Sequence, residues 1–220
     1  MDNLRLYKYA WYLAIFTIFY NILEGLFSVF FGFNDESLTL LGFGFDSFIE
    51  TLSGVGIAHM IIRIRNNPEI GRDEFEHTAL RITGVSFYIL TVGLVISSAY
   101  NIITGHKPIT TLWGIIISLL SITIMFLLIY GKNKIGKQLN SNAILADAEC
   151  TKVCIYMSII LLIASVTYEL FKVPYIDSLG TLGLAYYSFK EGRECFEKIR
   201  TGNYYFSCEV KKEFNKNGFA

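Results

Sequence analysis

The sequence predicts an all-α membrane protein, six transmembrane helices with both termini on the cytoplasmic side. Three observations carry that reading. The 220-residue chain is 53% hydrophobic with a mean hydropathy of +0.44, and only 17% of it is charged, too apolar for a soluble domain of this length. Six stretches reach the roughly 20 mostly apolar residues that cross the hydrocarbon core of a bilayer. Basic residues gather in alternate connections, and that bias sets the direction of threading.

The first span covers Trp11–Phe33, with Arg5 and Lys8 ahead of it and Glu24 midway along it. A cleaved signal peptide is not expected, because this run holds Glu24 and leads into a second span without a small-residue cleavage site. The second span, Leu38–Ile62, is followed by Arg63, Arg65 and Arg72. Asn66-Asn67-Pro68 stops it, since the residue before a proline avoids the α region. Gly42, Gly44, Ser47, Ser53, Gly54 and Gly56 make it rich in small residues, which let membrane helices pack closely or slide. Asp73 then caps a short surface helix that leads into the third span, Leu80–Ile103. The fourth, Thr110–Tyr130, is followed by Lys132, Lys134 and Lys137, and Asn140 or Ser141 caps the fifth, Asn142–Tyr168. The sixth, Pro174–Phe196, is followed by Lys198, Arg200, Lys211, Lys212 and Lys216.

The opposite connections hold only Lys107 and Lys172, beside Asp35 and Glu36, so the basic side is the cytoplasmic one. A net charge of zero hides this asymmetry. Residues 1–196 form one transmembrane domain. Residues 197–220 form a short cytoplasmic tail, too short for a separate domain without a metal or disulfide to hold it together. The basic loops are topology signals and not a nucleic-acid surface.

Two residue pairs carry chemistry. Asp46 and Glu50 lie four apart in the second span, and Cys150 and Cys154 lie four apart in the fifth. Residues at i and i+4 share a helix face, so each pair presents two ligand atoms in one direction. Ionisable groups are costly at membrane depth and usually bind or relay an ion there. Two carboxylates and two thiolates suit zinc or another borderline-soft divalent metal. At 1.5 Å per residue, counting Asp46 and Glu50 from the outer edge and the cysteines from the inner edge sets Asp46 level with Cys154 and Glu50 level with Cys150. The pair Cys150 and Cys154 is too far apart at Cβ for a disulfide, and Cys195 and Cys208 fall at the reducing cytoplasmic end.

Glu24 is a candidate further ligand or proton carrier, with a neighbouring serine or lysine as its structural alternative. Asp147 is a candidate for the inner mouth of the site. Asp177 either lines the exit or caps the sixth helix. Glu149 and Lys152 are spaced to pair with each other. His59 and His77 read as ordinary surface residues. An intramembrane enzyme finds no support: the chain has no His-Glu-x-x-His motif, nucleophile–base pair or Gly-rich phosphate loop.

The stretch Ser37-Leu-Thr-Leu-Leu-Gly-Phe-Gly-Phe-Asp46-Ser47-Phe-Ile-Glu50 resembles the second transmembrane helix of the cation diffusion facilitator (cation efflux) family, where an Asp-x-x-x-Asp pair binds metal. Ala146-Asp147-Ala148-Glu149-Cys150-Thr-Lys-Val-Cys154 resembles its fifth helix, usually Ala-Asp-x-x-His-x-x-x-Asp, and Tyr175-Ile176-Asp177-Ser178-Leu179-Gly180 resembles the start of its sixth. Glu50 stands where the family has a second aspartate, Cys150 where it has histidine and Cys154 where it has aspartate. The resemblance covers about residues 8–196 and is closest to short members without the cytoplasmic metal-binding domain. It implies a cation-efflux-like bundle, usually homodimeric, in the cytoplasmic membrane, exporting a divalent cation in exchange for protons. With this donor set the expected ion is Zn2+, bound at midplane between the second and fifth helices. The rival expectation is a non-transporting metal sensor or partner subunit that keeps the fold.

Overall fold

The computed structural model describes residues 3–66, 74–105, 107–173 and 175–201, and every regular element among them is an α-helix. The six are α1 (Asn3–Asn34), α2 (Leu38–Asn66), α3 (Glu74–Thr104), α4 (Leu112–Gln138), α5 (Asn142–Phe171) and α6 (Tyr175–Thr201). Each predicted span lies within one of them or overruns it by a residue or two, and most helices continue past the apolar run that announces them. The Pro68–Gly71 break, Asp73 and the tail from 202 onward, with Cys208, lie outside the described residues. Leading into the third span there is no separate surface helix among the described residues: α3 is continuous from Glu74. Ser141 does occupy the N-cap position of α5, but its side chain makes no capping bond, and Asn140 turns the chain there with a φ of 46°.

Five helices are long and apolar enough by themselves to cross a membrane; α6 is long enough but too polar. The physical reason is where its polar residues point. Asp177, Ser178, Thr181, Ser188, Glu191 and Lys198 are all buried against the other helices. The bundle as a whole repeats this inversion. Tyr12, Phe16, Phe19, Phe27 and Phe30 of α1 face outward, while Ser47, Ser118, Ser121 and Ser158 lie within. That arrangement suits a solvent of lipid, where apolar side chains gain nothing by hiding and polar ones join helices. Thr17, Ser47 and Ser158 return hydroxyl bonds to the carbonyl four residues back, whereas the buried hydroxyls of Ser28, Thr83, Ser165 and Ser188 have no partner among the described residues.

The closest pairs are α1 with α2, α3 with α6 and α4 with α5. α2 also packs on α3, α5 and α6, which places it at the centre. Small residues permit this. A Cβ on Gly44 would fall 2.8 Å from the backbone nitrogen of Val29, and one on Gly180 would fall 2.6 Å from Ala164 Cβ. The glycines of α2 therefore serve close packing.

Arg5, Lys8, Arg63, Arg65, Lys134, Lys137 and Arg200 collect at one end of the bundle, the basic end. The far end is fastened by two carboxylates. Asp177 accepts from Ser37 Oγ at 2.7 Å, Leu38 N at 2.8 Å and Thr39 N at 3.3 Å, so it caps α2 from α6. Glu169 of α5 accepts from Thr111 N at 2.6 Å and Thr110 Oγ1 at 2.7 Å, which caps α4. Asp177→Ala should cost about 2–3 kcal/mol, the sum of a lost cap and a buried hydroxyl left unsatisfied. Equilibrium unfolding in mixed detergent micelles measures it; an unchanged midpoint would show that α2 is fastened elsewhere.

Candidate metal site

Glu50 and Cys154 meet where α2 passes α5 in the middle of the bundle. Cys154 Sγ donates to Glu50 Oε1 at 2.7 Å, and Asn21 Nδ2 of α1 donates to the other oxygen at 3.2 Å. The register differs by one turn from the expectation that set Glu50 beside Cys150 and Asp46 beside Cys154. The cause is helix length. α2 is 29 residues and α5 is 30, each longer than the roughly 30 Å core at 1.5 Å per residue. Counting the two helices from opposite faces of that core therefore loses a turn.

Asp46 lies a turn farther from the basic end. It is 2% exposed, and its Oδ1 has no hydrogen-bond partner among the described residues. A buried polar atom without a partner is costly, which makes this oxygen a candidate ligand atom. Beside it, Ser47 Oγ donates to Glu24 Oε2 at 3.1 Å, and Tyr20 OH donates to Glu24 Oε1 at 2.8 Å. The serine foreseen as a structural partner for Glu24 is thus Ser47, and Glu24 sits next to the Asp46 turn without joining Glu50 and Cys154.

Cys150 lies a turn nearer the basic end, and its sulfur accepts from Lys198 Nζ of α6 at 3.2 Å. Asp147 pairs with Lys132 of α4 at 2.9 Å, both buried, and the same ammonium donates to Thr151 Oγ1 at 2.9 Å. Glu149 and Lys152 pair at 2.6 Å on the partly exposed face, as their spacing foretells. Asp177 belongs to the far-end fastening and lies away from Glu50 and Cys154. Among the described residues, no three His, Cys, Asp or Glu side chains converge into a ready-made metal cluster. The structure joins Glu50 to Cys154 and leaves Asp46 and Cys150 one turn above and one turn below.

A cavity of about 80 Å³ runs from Glu50, Cys154 and Cys150 toward the basic end, and Asp46 does not line it. Glu50 and Cys154 line its deep part; Met60, Ala79, Leu80 and Lys198 line it toward the basic end, where His59 and His77 do not contribute. Beyond Glu50, Leu40, Phe43, Met157, Leu161 and Leu184 form a buried apolar cluster between the site and the far end. Access is therefore one-sided.

The cation efflux transmembrane domain matches residues 14–199, most of the chain. The chain belongs to the cation efflux family. Comparison with curated proteins gives no significant match. Membership makes it a multi-pass membrane protein of the metal-cation transporter kind, and the family's members are transporters and not enzymes as a rule. Within this cation efflux bundle, sequence reasoning missed the place of four cavity-lining residues: Asn21, Lys132, Glu191 and Lys198. A signal for two of them was present. Glu191, Cys195 and Lys198 recur at i, i+4 and i+7, which puts them on one face of α6. For Asn21 the signal was weaker, a polar residue three before Glu24. Lys132 looked like an ordinary topology lysine because its neighbours Lys134 and Lys137 are.

Proposed function

We propose that this cation efflux protein carries a divalent cation, Zn2+ foremost, out of the cytoplasm in exchange for protons, with Asp46, Glu50, Cys150 and Cys154 as the metal's ligands along the way. The observation that carries the proposal is the Cys154–Glu50 contact, which joins a thiol of α5 to a carboxyl of α2 at the deep part of a cavity open from the basic end. With the basic end in the cytoplasm, that cavity is the loading side and the apolar cluster beyond it is the barrier to release. Helices that rock about the site exchange the two. Carboxyl and thiol ligands bind metal only once deprotonated, so metal and protons compete for the same atoms.

Zinc transport by the purified chain in proteoliposomes tests this directly. Flux should require an opposing proton gradient, and zinc affinity in detergent should fall as pH falls. Flux indifferent to the proton gradient would reject the exchange. Orientation has its own test. A cysteine introduced at Lys107 and the native Cys208 should label from opposite faces of the membrane, and labelling from one face would overturn the topology.

A metal sensor or partner subunit is favoured by one observation: among the described residues the four donors stand on three successive levels and do not form a cluster. Such a protein would bind zinc at equilibrium and move none. Equal binding with no flux is the result that selects it.

A further inference from the structure

Two lysines are buried in the cavity that leads to Glu50 and Cys154: Lys132 is 2% exposed and Lys198 is 7% exposed. Fixed positive charge along a cation's route opposes the cation unless it is neutralised or can move. Lys132 is neutralised, since Asp147 lies 2.9 Å from its ammonium. Lys198 is placed differently. Among the described residues its hydrogen bond runs to a sulfur, Cys150 Sγ at 3.2 Å, a weak acceptor for a strong cationic donor. A carboxyl group on the same helix face lies within electrostatic reach of it. Glu191 is 8% exposed, lines the same cavity and has an Oε1 without a hydrogen-bond partner among the described residues. An ammonium on the poorer acceptor and a buried carboxyl oxygen without a donor describe one half of a two-position arrangement.

We infer that Lys198 is a tethered cation that covers Cys150 while the site is empty, and that an incoming metal takes Cys150 by displacing the ammonium toward Glu191. This rests on the proposal that the cavity carries a divalent cation. In the exchange, the N–H···S bond breaks and a metal–sulfur bond forms. Cys150 binds the metal as a thiolate, its proton passing to water in the cavity. The displaced ammonium gains a carboxylate acceptor, a better one than the sulfur it leaves. The entering dication and the departing proton leave the cavity one unit more positive, which is why the ammonium moves off toward a carboxylate, and Cys150 joins the ligand set only when metal is present. Lys198 acts through Cys150 and is a positioning residue for the metal, not a ligand.

Cadmium serves as the probe because its thiolate complexes absorb in the ultraviolet, so bound sulfur can be counted. Lys198→Met keeps the length of the side chain and removes the charge. It should tighten cadmium binding by about tenfold or more, the equivalent of about 1.4 kcal/mol. The gain should vanish in Lys198→Met/Cys150→Ala relative to Cys150→Ala alone, as a pairwise coupling requires. Glu191→Gln should weaken cadmium binding, because the ammonium then loses the carboxylate that lines its own cavity. On the unaltered chain, acetylation of Lys198 should slow when cadmium is added, because an ammonium held by a carboxylate gives up its proton less readily, with the partly exposed Lys152 as reference. Wild-type affinity in Lys198→Met, or acetylation of Lys198 that cadmium leaves unchanged, overturns the inference. Glu50→Gln, titrated alongside, separates the two ideas. If it binds cadmium as the wild type does, the site reading fails, while the Lys198→Met comparison still decides whether ammonium and metal compete for Cys150.

Discussion

Glu50→Gln and Asp46→Asn are each expected to abolish proton-coupled metal flux while the protein still inserts and folds. The amide that Glu50→Gln introduces keeps one oxygen to accept from Cys154, and its NH2 can donate to the oxygen of Asn21 once that side-chain amide turns over, so the native contacts at 2.7 Å and 3.2 Å have replacements and the joint between α1, α2 and α5 survives. What is lost is the negative charge that draws a divalent cation out of water. Removing one member of a buried charge pair costs about 3–5 kcal/mol. In metal affinity that is on the order of a hundredfold to a few thousandfold. Asp46→Asn acts by the same loss and leaves its neighbours alone, since its Oδ1 makes no hydrogen bond to break. Glu50→Asp keeps the charge and should retain measurable flux. Zinc flux measured in proteoliposomes decides. Native flux from both amide variants would mean that the cation does not pass between α2 and α5.

The helices were legible because lipid imposes a simple rule on sequence: about twenty apolar residues, with basic residues where the chain emerges. α6 shows where the rule thins. Its Glu191 and Lys198 turn inward onto α2, α3 and α5, so it meets too little of the apolar criterion alone. The candidate ligands stood out for a different reason, the cost of Asp46 and Glu50 at depth. Their vertical match to the cysteines was not, because the sequence does not say where a helix longer than the core begins to leave it. Counted from the cytoplasmic ends of the predicted spans, Ile62 and Asn142, Glu50 and Cys154 each stand twelve residues in, which is the pairing the structure has. Asp177 shows a second kind of limit. Its place near the outer end of the sixth span offered either an exit residue or a cap for its own helix, yet it caps α2, and nothing local to residue 177 reveals a partner about 140 residues away.

Replacing both Cys150 and Cys154 by serine should weaken zinc far more than manganese. Sulfur donors favour zinc and cadmium over the harder manganese and magnesium because the softer atom suits a more polarisable cation. Outer partners of a metal ligand alone are worth about 10–100-fold in affinity, so loss of two direct ligands should cost zinc at least about a hundredfold. Manganese, held through Asp46 and Glu50, should change by less than about tenfold on the same reasoning. The two cysteines should not contribute equally. Cys154 already touches Glu50, whereas Cys150 is covered by Lys198, so Cys154→Ser is the more damaging single change. Cys150→His with Cys154→Asp supplies harder donors at the same positions and should keep zinc binding while narrowing its margin over manganese. Competition titrations of zinc against manganese on the purified variants measure the margin. If the double serine variant holds zinc as tightly as the native chain, the cysteines are packing residues and the cation is held by Asp46 and Glu50, with Glu24 as the nearest remaining carboxylate.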